Sequence, residues 1–470
     1  MEATAVDLTR ETSTREEIAA IPQRLREAFR AGKTRPAQWR KDQLKAVVRL
    51  LKENTKRFEQ ALAADLGKPP FEAYTADVVF PLGEAALAIK QLDRWMKPRH
   101  VAVPALQRPS KAWVQFDPLG VILIIAPWNY PVMLNFNPLI GAIAAGNCAV
   151  LKPSELAPAT SALIAELIPK YLDNDCFAVV EGAVAETQVL LEQPFDHILY
   201  TGSGRIGRVV MEAAAKHLTP VTLELGGKCP AIVMPDANLD VAARRIGWAK
   251  WTNAGQTCTA TDYVIVHQDV EKQLLEKFRN VITEFYGKDP KASKDYARIV
   301  NGRHVDRIAA TLGDDVEIVT GGQSDKDARY VAPTIVRAKG DSKIMQEEIF
   351  GPVLPVLVVQ NLDEAIAYVR DHDKPLALYV FTSDEKTSER VLGETSSGGA
   401  CVNAAMWHAA NPNLPFGGVG ESGMGAYHGR WGFERLSHRK AVVSKPTRID
   451  PKIVYPPYTR LKEWIARTFL

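Results

Sequence analysis

From Gly120 onward the chain repeats one pattern, a short apolar, β-rich run followed by a helical stretch. Residues 120–125, 148–151, 177–180 and 197–200 form the first set of such runs. Runs this short and this apolar suit strands buried on both faces of a sheet. Helical stretches at 158–172 and 207–217 separate or follow them, which predicts a mostly parallel α/β sheet. A second series starts after Glu224, with strands at 231–234, 263–266, 353–359 and 376–381 and helices at 270–286 and 362–370. A chain of 470 residues has room for two or three domains. The two series place one boundary near Glu224-Leu225-Gly226-Gly227.

The first hundred residues read differently. Leu44, Val47, Val48 and Leu51 recur at helical spacing within one stretch, 37–66, that stops at Gly67-Lys68-Pro69-Pro70. Two segments, 101–116 and 439–445, fit neither series and read as strands reaching toward a partner subunit. The 58 basic and 55 acidic residues nearly balance and are scattered, which removes the electrostatic reason to expect a nucleic-acid partner. Five widely spaced cysteines without a CxxC pair suggest neither disulfides nor a metal site, so a reducing cytoplasm is the expected compartment. Residues 1–15 lack the apolar core of a signal peptide, and the longest apolar run, 121–126, is too short to span a bilayer.

Cys258 stands in Asn253-Ala254-Gly255-Gln256-Thr257-Cys258-Thr259, between a Trp-bearing helix and the strand from Tyr263. A cysteine on a polar loop, ringed by backbone N–H groups, suits a thiolate nucleophile; a free cysteine is also commonly a small buried hydrophobe. Cys229, leading into an apolar strand, reads as structural. Gly202-Ser203-Gly204-Arg205-Ile206-Gly207 follows a strand and opens a helix, the setting in which GxGxxG holds dinucleotide phosphates, although a plain glycine turn has the same letters. That template seeks an acidic residue about 20 positions on to hold a ribose, and Glu224 falls near there. The same carboxylate, set near Cys258, suits a water-activating base. Pro127-Trp128-Asn129-Tyr130-Pro131 ends the first strand, where α/β sheets place binding crevices.

Taken together, PWN at 127–129, LKPSE at 151–155, TGS at 201–203, ELGGK at 224–228, GQTC at 255–258, EEIFGP at 347–352 and LPFGGVGESGMG at 414–425 resemble the aldehyde dehydrogenase superfamily, in that family's order. The short N-terminal region and the tail SGMGAYHG with SHRKAV look most like its class 3 branch. The resemblance implies a Rossmann-like parallel-sheet cofactor domain (1–98 and 119–223), a second α/β catalytic domain (224–436), a small oligomerisation β-segment (99–118 and 437–447) and a tail (448–470). It implies Cys258 as nucleophile, Glu224 as general base rather than ribose ligand, and Asn129 as oxyanion donor. For the cofactor it implies Gly202, Ser203 and Gly207 near the pyrophosphate, Lys152 and Glu155 at the adenine ribose, and Glu348, Phe350 and Trp128 toward the nicotinamide end. Glu155 favours NAD by like-charge repulsion of a 2′-phosphate, and Lys152 leaves NADP open.

The expected reaction is oxidation of medium- or long-chain aliphatic, aromatic or terpenoid aldehydes to acids, through a thiohemiacetal and a thioester on Cys258. Tyr130, Trp248, Met406, Trp407 and His408 are the expected walls of the substrate tunnel, and the branch implies a homodimer. A CoA-acylating enzyme and a catalytically silent binding protein are the alternatives. Leu461, Trp464, Ile465 and Phe469 share a helical face in the tail. That face is expected to dock on the protein's own body, with weak peripheral membrane contact through 457–470 as the alternative.

Overall fold

The computed structural model describes residues 14–104, 107–450 and 452–469; expectations for residues 1–13 and for the Phe469 side chain lie outside the described residues. The α/β architecture read from the alternating runs is present, as a six-stranded and a seven-stranded sheet joined by helices, with a separate three-stranded sheet. In space the six-stranded sheet runs Gly423–Met424, Val221–Glu224, His197–Thr201, Val121–Ile125, Cys148–Lys152, Phe177–Val179. All its pairs are parallel except that of Gly423–Met424 with Val221–Glu224. Val121–Ile125, first in the chain, is therefore central. The chain winds outward to Phe177–Val179, then starts again on the other side at His197–Thr201. Crossovers that part in this way leave a crevice beyond the carboxyl ends of those two central strands.

The seven-stranded sheet runs Glu317–Thr320, Thr334–Arg337, Val353–Val359, Tyr263–His267, Pro230–Val233, Ala377–Phe381, Gly399–Val402. It is parallel apart from the antiparallel edge strand Glu317–Thr320. Its central strands are buried apart from the terminal, half-buried His267, as their apolar runs require. In the three-stranded sheet, Lys111–Pro118 pairs antiparallel with both Arg99–Val101 and Ser437–Ser444, and most of the last strand is exposed.

Two local features differ from the sequence reading. The single helix expected over 37–66 is two, Ala37–Glu53 and Thr55–Leu66. Asn54 leaves helical geometry and its side-chain amide donates to the Leu50 carbonyl (2.9 Å), competing with the helix ladder. Gly67, left-handed at φ 58°, closes the second helix as expected. Residues 423–435, expected with the second unit, pack on the first. Gly423 pairs with Glu224, and Phe433 on the helix Gly429–Arg435 meets Trp95 of Val79–Trp95. The chain thus returns to cover the end of the strand that carries Glu224.

Candidate active site

The loop that carries Cys258 is held in a costly backbone shape. Helix Leu239–Trp251 ends in the tight turn Thr252–Gly255, where Asn253 and Ala254 are both left-handed (φ 53° and 51°). Left-handed geometry costs roughly 1–2 kcal/mol at an ordinary residue. Gly255 follows at φ 75°, and any Cβ there would collide with the Gly351 carbonyl, so this glycine is required twice over. The loop's polar side chains point inward and hold the turn. Gln256 donates to the carbonyls of Asn253 (2.9 Å) and Arg298 (3.0 Å) and accepts from the Val300 N–H (2.9 Å). Asn253 donates to the carbonyls of Asn129 (2.9 Å) and Gln256 (3.1 Å). The loop is polar in composition but buried, because its polarity is consumed by backbone groups of the loop itself and of Asn129, Arg298 and Val300.

Cys258 borders a cavity of about 470 Å³. Burial, assisted by the nearby charges of Glu348 and Glu224, pushes its thiol up to about 12. Cys229 is wholly buried, and its sulfur donates to the Cys258 carbonyl (3.4 Å) and accepts from the Ala377 N–H (3.3 Å), which fits its structural reading.

Glu224 ends the strand Val221–Glu224 with both carboxylate oxygens buried and without a hydrogen-bond partner. Burial holds its carboxyl well above the usual range, opposed only in part by Arg435. A buried, unpartnered acid is unfavourable in any purely structural role. Asn129 follows the central strand, and its side-chain amide donates to the Gln256 carbonyl (3.0 Å), leaving its second N–H for another acceptor.

The crevice at the end of the six-stranded sheet contains the glycine motif. Ser203 opens helix Gly204–Ala215, with no side-chain cap on the first-turn N–H groups, so they remain available to an anion. Side chains at Gly202 or Gly207 would run into Tyr200 and Leu225. Lys152 is buried, donates to the Pro153 carbonyl and lies 4.0 Å from the half-exposed Glu155 carboxylate. Trp128 packs on Phe350 (5.4 Å, edge-on) and His304 (5.5 Å). Glu348 lies against Gly226, where any Cβ would collide with its carboxylate, and burial lifts its carboxyl to about 8. Free helix-start donors and an aromatic shelf fit a dinucleotide.

The cavity on the other side of Cys258 is apolar. Tyr130, Trp248, Met406 and Trp407 line it, and Trp248 stacks on Trp407 (6.0 Å, 23°). His408, expected as a fifth wall, is not among the lining residues. Its ring is buried against Tyr379 and Phe416, with Nδ1 3.4 Å from the Cys401 sulfur, and burial depresses its imidazole to about 4. The left-handed Met406 (φ 65°) turns the chain there, so Met406 and Trp407 face the cavity while His408 enters the core.

A family model described as "Aldehyde dehydrogenase family" matches residues 5–442. The chain belongs to the aldehyde dehydrogenase family. It is an oxidoreductase acting on aldehydes with NAD or NADP. Aldehyde dehydrogenase family 3 member A2 of Mus musculus is 48% identical over 450 residues, spanning 95% of this chain and 93% of the relative. The dimeric NADP-preferring aldehyde dehydrogenase of Rattus norvegicus is 48% identical over 443 residues, 94% and 98% of the two chains. Among solved structures, a substrate-bound aldehyde dehydrogenase of Staphylococcus aureus is 44% identical with a TM-score of 0.93, covering 96% of this chain and 99% of its own. PnpE from a Pseudomonas species, solved with nicotinamide adenine dinucleotide, is 27% identical with a TM-score of 0.83, covering 92% and 90%.

This aldehyde dehydrogenase also has cavity residues that the sequence reading missed. Phe71, Phe285, Phe416 and Tyr427 line the apolar cavity with Cys258. Phe416 and Tyr427 stand in or beside family motifs, which was a usable signal. Phe71 follows a helix-stopping Gly-Lys-Pro-Pro and Phe285 sits on an ordinary amphipathic helix, so neither carries a local mark.

Proposed function

We propose that Cys258, Glu224 and Asn129 carry out the aldehyde oxidation, with the apolar cavity taking the aldehyde and the glycine crevice taking NAD or NADP. The observation that carries this reading is a buried, partnerless Glu224 close enough to Cys258 for its charge to raise the thiol. Gly202, Ser203, Gly207, Lys152, Glu155, Trp128, Phe350 and Glu348 are the residues that would hold the cofactor. When bound, it supplies the hydride acceptor. The remaining chemistry belongs to the chain. The Cys258 thiol gives up its proton to water, its sulfur adds to the aldehyde carbon, and the Asn129 side-chain amide and Cys258 N–H receive the oxyanion. A single such donor typically contributes about 10²–10³ in rate. The thioester left on Cys258 is cleaved by a water that Glu224 deprotonates.

The substrate proposed is a medium- or long-chain aliphatic or an aromatic aldehyde, because the cavity wall is aromatic and thioether and carries few polar groups. NAD is the proposed preferred cofactor, with NADP also used, since the Glu155 carboxylate repels a 2′-phosphate while Lys152 attracts it. The division at Glu224 into cofactor and catalytic domains is proposed with one change, that 423–435 pack with the cofactor domain. The exposed strand Ser437–Ser444 is proposed to meet a second copy in a homodimer, a reading favoured by a relative named as dimeric.

In the tail helix Arg460–Phe469, Leu461 and Trp464 are 65% and 59% exposed. Among the described residues no helix is long and apolar enough to cross a membrane. The test of the substrate reading is kcat/KM across aldehydes of graded length and aromaticity, with NAD and NADP in parallel. A rise with apolar size is expected, and a best substrate that is short and charged would overturn it.

A further inference from the structure

Helix Thr55–Leu66 and the segment after it contain an ion pair that the reaction scheme does not use. Lys68 and Asp77 are fully buried, with the ammonium 2.7 Å from the carboxylate. Removing two charges from water is costly, and such a pair is weak evidence of stabilisation in itself. What sets this pair apart is where its remaining bonds go. Lys68 also donates to the backbone carbonyl of Asn129 (3.1 Å), and its ammonium stands 4.2 Å from the centre of the Tyr130 ring. The other carboxylate oxygen of Asp77 accepts the N–H groups of Val132 (3.2 Å) and Met133 (3.3 Å). One ion pair therefore grips the chain on both sides of Tyr130-Pro131, at Asn129 and at Val132–Met133.

The geometry of Asp77 depends on an uncommon element. It lies in a π-helical turn, Ala73–Val78, between Pro70–Glu72 and Val79–Trp95. Such wide turns are rare and concentrate at functional sites. The gripped segment is bonded on its other side to the nucleophile loop. The Asn129 carbonyl also accepts from Asn253, its side chain donates to the Gln256 carbonyl, and the Tyr130 hydroxyl is 2.7 Å from that of Thr257. We infer that Lys68 and Asp77 are positioning residues for the oxyanion site, fixing the Asn129 peptide so that its side-chain amide is held in register with Cys258.

This inference rests on the reading of Asn129 as the oxyanion donor. A double-mutant cycle separates the two. Lys68→Met keeps the stem's bulk and removes the ammonium; Asn129→Ala removes the amide. The rate of the single-turnover NADH burst measures the steps up to the thioester, and the decay of a preformed acyl-enzyme measures its hydrolysis. Lys68→Met is expected to slow the burst by about 10- to 100-fold with a much smaller change in hydrolysis. In the Asn129→Ala background the same change is expected to slow the burst less than threefold further. Full multiplication of the two losses would overturn the inference and leave the Asn129 reading standing. A normal burst in Asn129→Ala alone would remove that reading and the inference with it.

Asp77→Asn keeps an oxygen acceptor for the Val132 and Met133 N–H groups and serves where Lys68→Met does not fold. A burst slower than the parent's, with cofactor binding intact by fluorescence titration, is the expected result. An unchanged burst in Asp77→Asn and in Lys68→Arg, with both folded, would also overturn the inference.

Discussion

The proposed cofactor crevice and the proposed aldehyde cavity are built by different means. The crevice is assembled from local pieces: a strand end, a glycine pair and an uncapped helix start at 202–207, and PWN at the end of the neighbouring strand. Its phosphate-facing groups are backbone, so the sequence that makes the turn also makes that part of the site. The cavity is assembled from side chains of distant segments, with Phe71, Tyr130, Trp248, Phe285, Trp407 and Tyr427 brought together only by packing. A backbone site leaves a motif in the sequence; a side-chain site leaves only residue types that also suit any core.

The largest expected effects fall on the sulfur that the two regions share. Cys258→Ala should abolish turnover while cofactor binding, by fluorescence titration, stays near the parent value. Glu224→Gln should release close to one equivalent of NADH rapidly, then fall by about 10²–10⁴ in steady state. Retention of either activity near the parent would break the comparison, because the two regions would then not meet at this pair.

The next test sharpens the distinction. Trp407→Ala should lower kcat/KM for a long apolar aldehyde roughly tenfold and for a short one little, consistent with about 1–3 kcal/mol for a lost apolar contact. Its KM for NAD should not move. Gly202→Val should do the reverse, raising the KM for NAD with the ratio between long and short aldehydes kept. Equal effects of both variants on both substrates would mean that crevice and cavity are not separate sites.

A smaller effect concerns stability. Glu84 is buried and accepts the Gly429 N–H, tying helix Val79–Trp95 to the turn that carries Tyr427 and His428. Burial raises its carboxyl to about 7. An acid whose folded-state pKa is raised contributes stability that is complete below its unfolded value and is lost as pH rises through the folded one. Stability should therefore fall between about pH 4.5 and 7, by roughly 3 kcal/mol at most from this group. Glu84→Gln keeps the acceptor and should flatten that part of the pH–Tm curve. A curve of unchanged slope would assign the loss to other groups.

Much of the fold was legible because period and length identify buried strands, and the strand–helix alternation appears at nearly the expected residues. The break at Asn54 was not legible, since it depends on one amide competing for a carbonyl within an otherwise helical pattern. Glu224 shows the limit for sites. Its spacing from the glycines allowed a ribose ligand or a base, the family resemblance implies the base, and its burial without a partner beside Cys258 supports that reading. His408 shows the converse, a residue adjacent to two cavity walls that turns into the core because Met406 takes a left-handed backbone.

By itself the sequence determined the parallel α/β architecture, the family and the crevice, because periodicity and backbone motifs are properties of neighbouring residues. Only the tertiary structure decided that His408 leaves the cavity wall and that Lys68 and Asp77 grip the Asn129 segment. Those facts depend on burial and on contacts between residues far apart in the chain, and neither quantity is written in local order.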